Sequence, residues 1–200
     1  MLAPHWFAGF DSLMQIVDAA IAFTIGYYAL RGYKLIKDRT LFFLHFSFVL
    51  LGVGLLVDGV VTIPALAFRG LLPIMALSYH LRITAEIVAY GLLVFAYLKQ
   101  TRSLMVSAAL ATLFLEYNPF LEIVVFFLVA YLAVQAAINY SAKKERNSLL
   151  VMVGFVLLSV SHMFFILPPV VRLFIVMAHV AQLMGFVALL VMLVKVAGTK

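Results

Sequence analysis

The sequence predicts an all-α integral membrane protein, a bundle of seven transmembrane helices with a parallel internal repeat of three helices, one linker helix and three more. Three observations predict it. Hydrophobic residues make up 66% of the chain and charged ones only 11%, with a mean hydropathy of +1.18; a soluble domain of 200 residues needs far more polar surface. The apolar runs have the length of about 20 residues that spans a bilayer. The basic residues collect in alternate connections. The whole chain, 1–200, reads as a single transmembrane domain.

Taken in order, the first helix is expected over 10–31, closed by RGYKLIKDRT. The second covers 40–60. The connection VTIPALAFRGLLPIMAL is apolar, and Pro64 and Pro73 argue against one unbroken helix there; it is expected to lie along the membrane surface. The third helix covers 77–98. A short fourth, 103–117, stops at Tyr117-Asn118-Pro119. The fifth covers 120–140, the sixth 148–166 and the seventh 170–196, the last two joined by a Leu167-Pro168-Pro169 corner.

A shift of 107 residues places Tyr33 on Tyr140, Lys37 on Lys144, Asp38 on Glu145 and Arg39 on Arg146. It also places Phe48–Leu51 on Phe155–Leu158, both FVLL. Repeat 1 is therefore expected over 10–98 and repeat 2 over 120–196, with the helix at 103–117 as the linker that lets both units share one orientation.

Arg31, Lys34, Lys37, Arg39, Lys99, Arg102, Lys143, Lys144, Arg146, Lys195 and Lys200 fall on one side, and only Arg69, Arg82 and Arg172 of the 14 basic residues fall on the other. The positive-inside rule places the N-terminus outside and the C-terminus in the cytoplasm of a multi-pass protein of the cell membrane. The net charge of +6 thus marks topology, not nucleic-acid binding. The leader MLAPHWFAGFDS lacks the basic start of a cleavable signal peptide. Cysteine is absent, which removes disulfides and thiolate metal sites.

Ionisable groups against lipid are costly, so they should face the bundle interior. At about 1.5 Å per residue, His162 lies near the outer boundary with His80 and Asp58. His179, Glu86 and Asp18 lie deeper in the same outer half. The inner half holds only His45. Asp18, Asp58 and His162 fall on apolar residues under the repeat shift, so the scaffold is duplicated but the polar site is single.

Each residue has a plainer role beside the functional one. Arg82 and Glu86, four apart, form a simple ion pair. Asp58 caps its helix or meets Arg69. Asp11 is an interfacial, solvated residue, and His80 an interfacial histidine. His162 and His179 supply interhelical hydrogen bonds to Ser159, Ser161 or Gln182.

The function predicted first is an outward-facing His/carboxylate site for a transition metal (Zn, Cu or Fe) or a b-type haem. Its ligands would come from His162, His179, His80 and Glu86. The second is a small-solute or proton-coupled transporter using Asp18, Glu86, His179, Gln182 and Arg82, with Asp58 as a further candidate. Its layout resembles that of sugar-exporting and PQ-loop transporters in topology alone; the Pro-Gln pair is missing. The third is a membrane sensor or subunit with no chemistry of its own, joined in the lipid bilayer to other membrane subunits or to copies of itself. No Ser-His-Asp arrangement, HExxH pair, phosphate-binding glycine loop or retinal-type lysine within the last helix is present in the sequence. No reaction is named by it.

Overall fold

The computed structural model describes residues 5–67, 72–100, 119–167 and 172–198. They form six α-helices: α1 (His5–Ile36), α2 (Arg39–Ala67), α3 (Leu72–Gln100), α4 (Pro119–Lys143), α5 (Arg146–Ile166) and α6 (Arg172–Gly198). All six are long and apolar enough to cross a membrane. The protein is therefore an all-α, multi-pass membrane protein. The helix expected over 103–117 lies outside the described residues.

The helices run longer than the apolar runs suggest. Hydropathy senses the hydrocarbon layer, whereas a helix continues until its backbone is capped. α1 ends where Lys37 adopts a left-handed conformation, φ 57°, and its N–H bonds the Tyr33 carbonyl at 2.8 Å. Asp38 then caps α2, its Oδ1 accepting from the Thr40 N–H at 2.8 Å. Between α4 and α5, Lys144 has φ 51°, and its N–H bonds the Tyr140 carbonyl at 2.7 Å.

The connection after the second span differs from expectation. α2 continues through Pro64 to Ala67, and α3 begins at Leu72, so most of the stretch extends the two helices rather than lying apart. Pro64 lies in the last turn of α2, so the helix gives up a single i→i−4 bond there and ends three residues later. Asp58, expected to end its helix, sits inside α2. At the other corner α5 stops at Ile166, and Leu167 is extended, as a residue before proline must be.

The helices form a ring. Each packs on its chain neighbours, and α6 closes against α1. Cross-helix contacts fix the directions: Asp58 meets Ser78, Gly54 meets Ala85, and Asp11 meets His179. The starts of α1, α3, α4 and α6 and the ends of α2 and α5 consequently share one end of the bundle. The opposite end carries Lys34, Lys37, Arg39, Lys143, Lys144, Arg146 and Lys195.

Small residues bring helices together, as lipid-embedded packing requires. Gly154 and Gly185 face one another, and a Cβ on Gly185 would lie 2.9 Å from the Gly154 carbonyl oxygen. Large apolar side chains such as Tyr27, Phe127, Val134 and Leu173 point outward. Toward the basic end the interior is an apolar plug that includes Ile25, Phe48, Leu93, Leu132, Phe186 and Leu189. The Phe48 and Phe186 rings meet edge-on at 5.8 Å.

Candidate metal centre

Above that plug the interior turns polar. Every buried polar side chain among the described residues except Ser47 lies in the half of the bundle away from the basic end, or at its midpoint. Arg82 is at the centre. Its Nε pairs with Asp58 of α2 at 3.1 Å, its Nη1 with Glu86 of α3 at 2.8 Å, and its Nη2 with Glu122 of α4 at 3.1 Å. A planar guanidinium can serve three carboxylates at once; an ammonium has no such fork. The Tyr79 ring lies 5.2 Å from it, a cation–π distance.

Gly54 makes this possible. A Cβ there would lie 2.7 Å from Ala85 Cβ and 3.2 Å from Arg82 Cα. The α2 backbone therefore approaches α3 at the residue that carries the guanidinium.

Glu122 is the bridge. Its Oε1 accepts from Arg82, and its Oε2 accepts from His162 Nδ1 at 3.3 Å. With Nδ1 as donor, the Nε2 of a neutral His162 ring carries the lone pair. That Nε2 is buried without a hydrogen-bond partner, and so is Glu86 Oε2. One ligand-type atom from each of Glu86, Glu122 and His162 lies within 4.8 Å of the others, the only such group of three among the described residues. Comparison with family models, with curated proteins and with solved structures returns no match. The chemistry of the site is therefore read from its own atoms.

The remaining candidates are placed as follows. His179 does not join His162; its Nε2 bonds Asp11 Oδ1 at 2.6 Å. Phe165 stands edge-on to His179 at 5.2 Å and tilted to His162 at 6.0 Å. His80 donates from Nδ1 to the Ala76 carbonyl of its own helix at 2.7 Å. Asp18 is wholly buried with both oxygens lacking a hydrogen-bond partner. It lies about 10 Å further along α1 than Asp11 and within electrostatic reach of Tyr90, as are Glu86 and Arg82. Gln182 is buried beside a cavity of about 440 Å³, which Asp58, His80, Arg82 and His179 also line. Arg69, the other partner considered for Asp58, lies outside the described residues.

The expected Arg82–Glu86 pair is present, but as one arm of a three-carboxylate cluster. Asp11 is more than a solvated surface group, because it holds His179. His45 donates from Nδ1 to the Gly26 carbonyl at 2.9 Å and braces α1 on α2, far from the cluster. Glu122 is the residue that spacing alone does not select. It sits in the first turn of α4, where an acidic side chain ordinarily serves the helix dipole.

Proposed function

We propose that the protein is a seven-span membrane protein that binds a divalent transition-metal ion at Glu86, Glu122 and His162. The observation that carries this reading is that one ligand-type atom from each of these three buried side chains lies within 4.8 Å of the others, with Glu86 Oε2 lacking a hydrogen-bond partner. Charge supports it too. Three carboxylates surround one guanidinium, and an uncompensated buried charge is strongly unfavourable. Metal bonds of about 2.1 Å put opposed ligand atoms about 4.2 Å apart, so small side-chain rotations close the set. The group has a single histidine, which suits zinc, copper or iron ions better than a bis-histidine haem.

In this reading the basic end is cytoplasmic, the cavity opens outside, the N-terminus is outside, and the protein sits in the cell membrane. The parallel starts of α3 and α4 support a further crossing by the intervening chain. The left-handed Lys37 and Lys144, 107 positions apart with the same backbone bond to Tyr33 and Tyr140, support a parallel repeat. That symmetry, with a cavity at one end and an apolar plug at the other, favours a second reading as a small-solute or proton-coupled transporter. In either case the outward apolar side chains meet lipid, further membrane subunits or a second copy of the chain.

Elemental analysis of the purified full chain tests the proposal. Bound metal is expected in the wild type and in His45→Ala, and is expected to be lost in His162→Ala and Glu86→Gln. Equal loss in His45→Ala, or equal retention in His162→Ala, overturns it.

A further inference from the structure

The cavity has a recognition chemistry separate from the metal group, organised by Asp11. Asp11 Oδ1 accepts from His179 Nε2 at 2.6 Å, and its Oδ2 accepts from Gln15 Nε2 at 3.2 Å. Each partner thereby uses a donor on Asp11. Their acceptor atoms, Gln15 Oε1 and, in the neutral ring, His179 Nδ1, are left buried without a hydrogen-bond partner. Buried acceptors are unfavourable unless a donor reaches them. All three residues line the cavity, so two acceptors beside it lack donors.

Charge points the same way. Asp11, Asp58 and Glu122 line the cavity against one described cation, Arg82, whose nitrogens already face carboxylates. Leu55, Met75, Phe165 and Ile175 give the wall an apolar portion, and Thr62, Tyr79, His80 and Gln182 add neutral polar groups. The volume, about 440 Å³, suits a small organic molecule.

We propose that the cavity binds a primary organic ammonium ion, either a free alkylamine or the aminoethyl headgroup of a lipid. Its N–H groups meet Asp11, Gln15 and His179, and its carbon skeleton lies against Met75, Phe165 and Ile175. Small rotations of Gln15 and His179 turn their free acceptors to the ligand. A carboxylate of the same size is excluded, because it brings acceptors and negative charge to a wall that already has both. The inference goes beyond the metal reading and stands without it.

Calorimetric titration of the detergent-purified full chain with n-butylammonium and with butyrate tests the inference. Saturable binding of butylammonium and none of butyrate is expected. Asp11→Asn should weaken the amine at least tenfold while keeping its bound metal, and Gln15→Leu provides the same test if Asp11→Asn does not fold. His162→Ala should lose metal and keep the amine, which separates failure of one reading from failure of the other. A second arm uses nanodiscs of phosphatidylethanolamine or phosphatidylglycerol. Selective retention of phosphatidylethanolamine, displaced by butylammonium, identifies the lipid as the source and supports the same chemistry. Equal binding of butyrate, unchanged affinity in both variants, or binding of neither the amine nor the aminoethyl lipid overturns the inference.

Discussion

His162 donates through Nδ1 to Glu122 Oε2 at 3.3 Å, joining the end of α5 to the start of α4. The same carboxylate accepts from Arg82 Nη2 on α3 through its other oxygen. One side chain thus couples three helices and fixes which nitrogen of the imidazole stays open. The site's chemistry and the bundle's stability share this residue, and both can be probed by substitution.

Arg82→Met should be among the most destabilising single changes in the chain. It leaves Asp58, Glu86 and Glu122 buried without their common cation, and breaking a buried pair costs about 3–5 kcal/mol. Arg82→Lys should recover only part of the loss, because an ammonium lacks the fork. Denaturant unfolding in detergent measures both, and a wild-type midpoint for Arg82→Met would contradict the central role of the guanidinium.

The same substitution at two glycines should have opposite signs. Gly54→Ala puts a methyl group 2.7 Å from Ala85 Cβ and should cost about 1–3 kcal/mol through overpacking, with weaker metal retention because Arg82 is displaced. Gly91→Ala meets nothing within 4 Å and should gain about 0.5–1 kcal/mol. Unfolding midpoints of the two variants, measured side by side, check the pair.

Lys37→Gly and Lys144→Gly should each stabilise the protein by up to about 1 kcal/mol. Both lysines hold positive φ, which costs an L-residue about that much and costs glycine little. If the two turns are equivalent, the effects should match and should add, since distant sites behave independently. Unequal shifts in unfolding midpoint would count against the repeat.

Topology can be read without background because the chain has no cysteine. Leu167→Cys should react with an impermeant thiol reagent from outside intact cells. Lys37→Cys and Lys144→Cys should react only after the membrane is opened. Tags at the two termini should lie on opposite sides if the proposed seventh crossing is present. Both termini on one side would remove the seventh span.

The all-α, membrane-spanning character was legible in the sequence, because hydropathy reports directly on lipid. The concentration of ionisable groups away from the basic end was legible for the same reason. Helix ends were less so. They depend on caps such as the left-handed Lys37, and Pro64 sits close enough to the end of α2 to be carried within it. The site was visible in part. His162, Glu86, Arg82 and Asp58 could be selected as charges that lipid would not tolerate, and the Arg82–Glu86 spacing shows their shared face. Their partners could not. Glu122 looks like an ordinary first-turn acid, and Asp11 like a surface group, until the ring brings α3, α4 and α5 together and closes α6 on α1. Periodicity describes one helix at a time, whereas the partition of His162 to Glu122 and His179 to Asp11 depends on which helices are neighbours.

The central claim is that a His162 imidazole nitrogen is a metal ligand beside glutamate oxygen. X-ray absorption at the zinc edge of the zinc-loaded full chain reads it most directly. The account predicts one imidazole nitrogen with oxygen neighbours at about 2.0–2.2 Å, and loss of the imidazole signal in His162→Ala. Failure to retain zinc, or a shell of oxygen alone in the wild type, would contradict it.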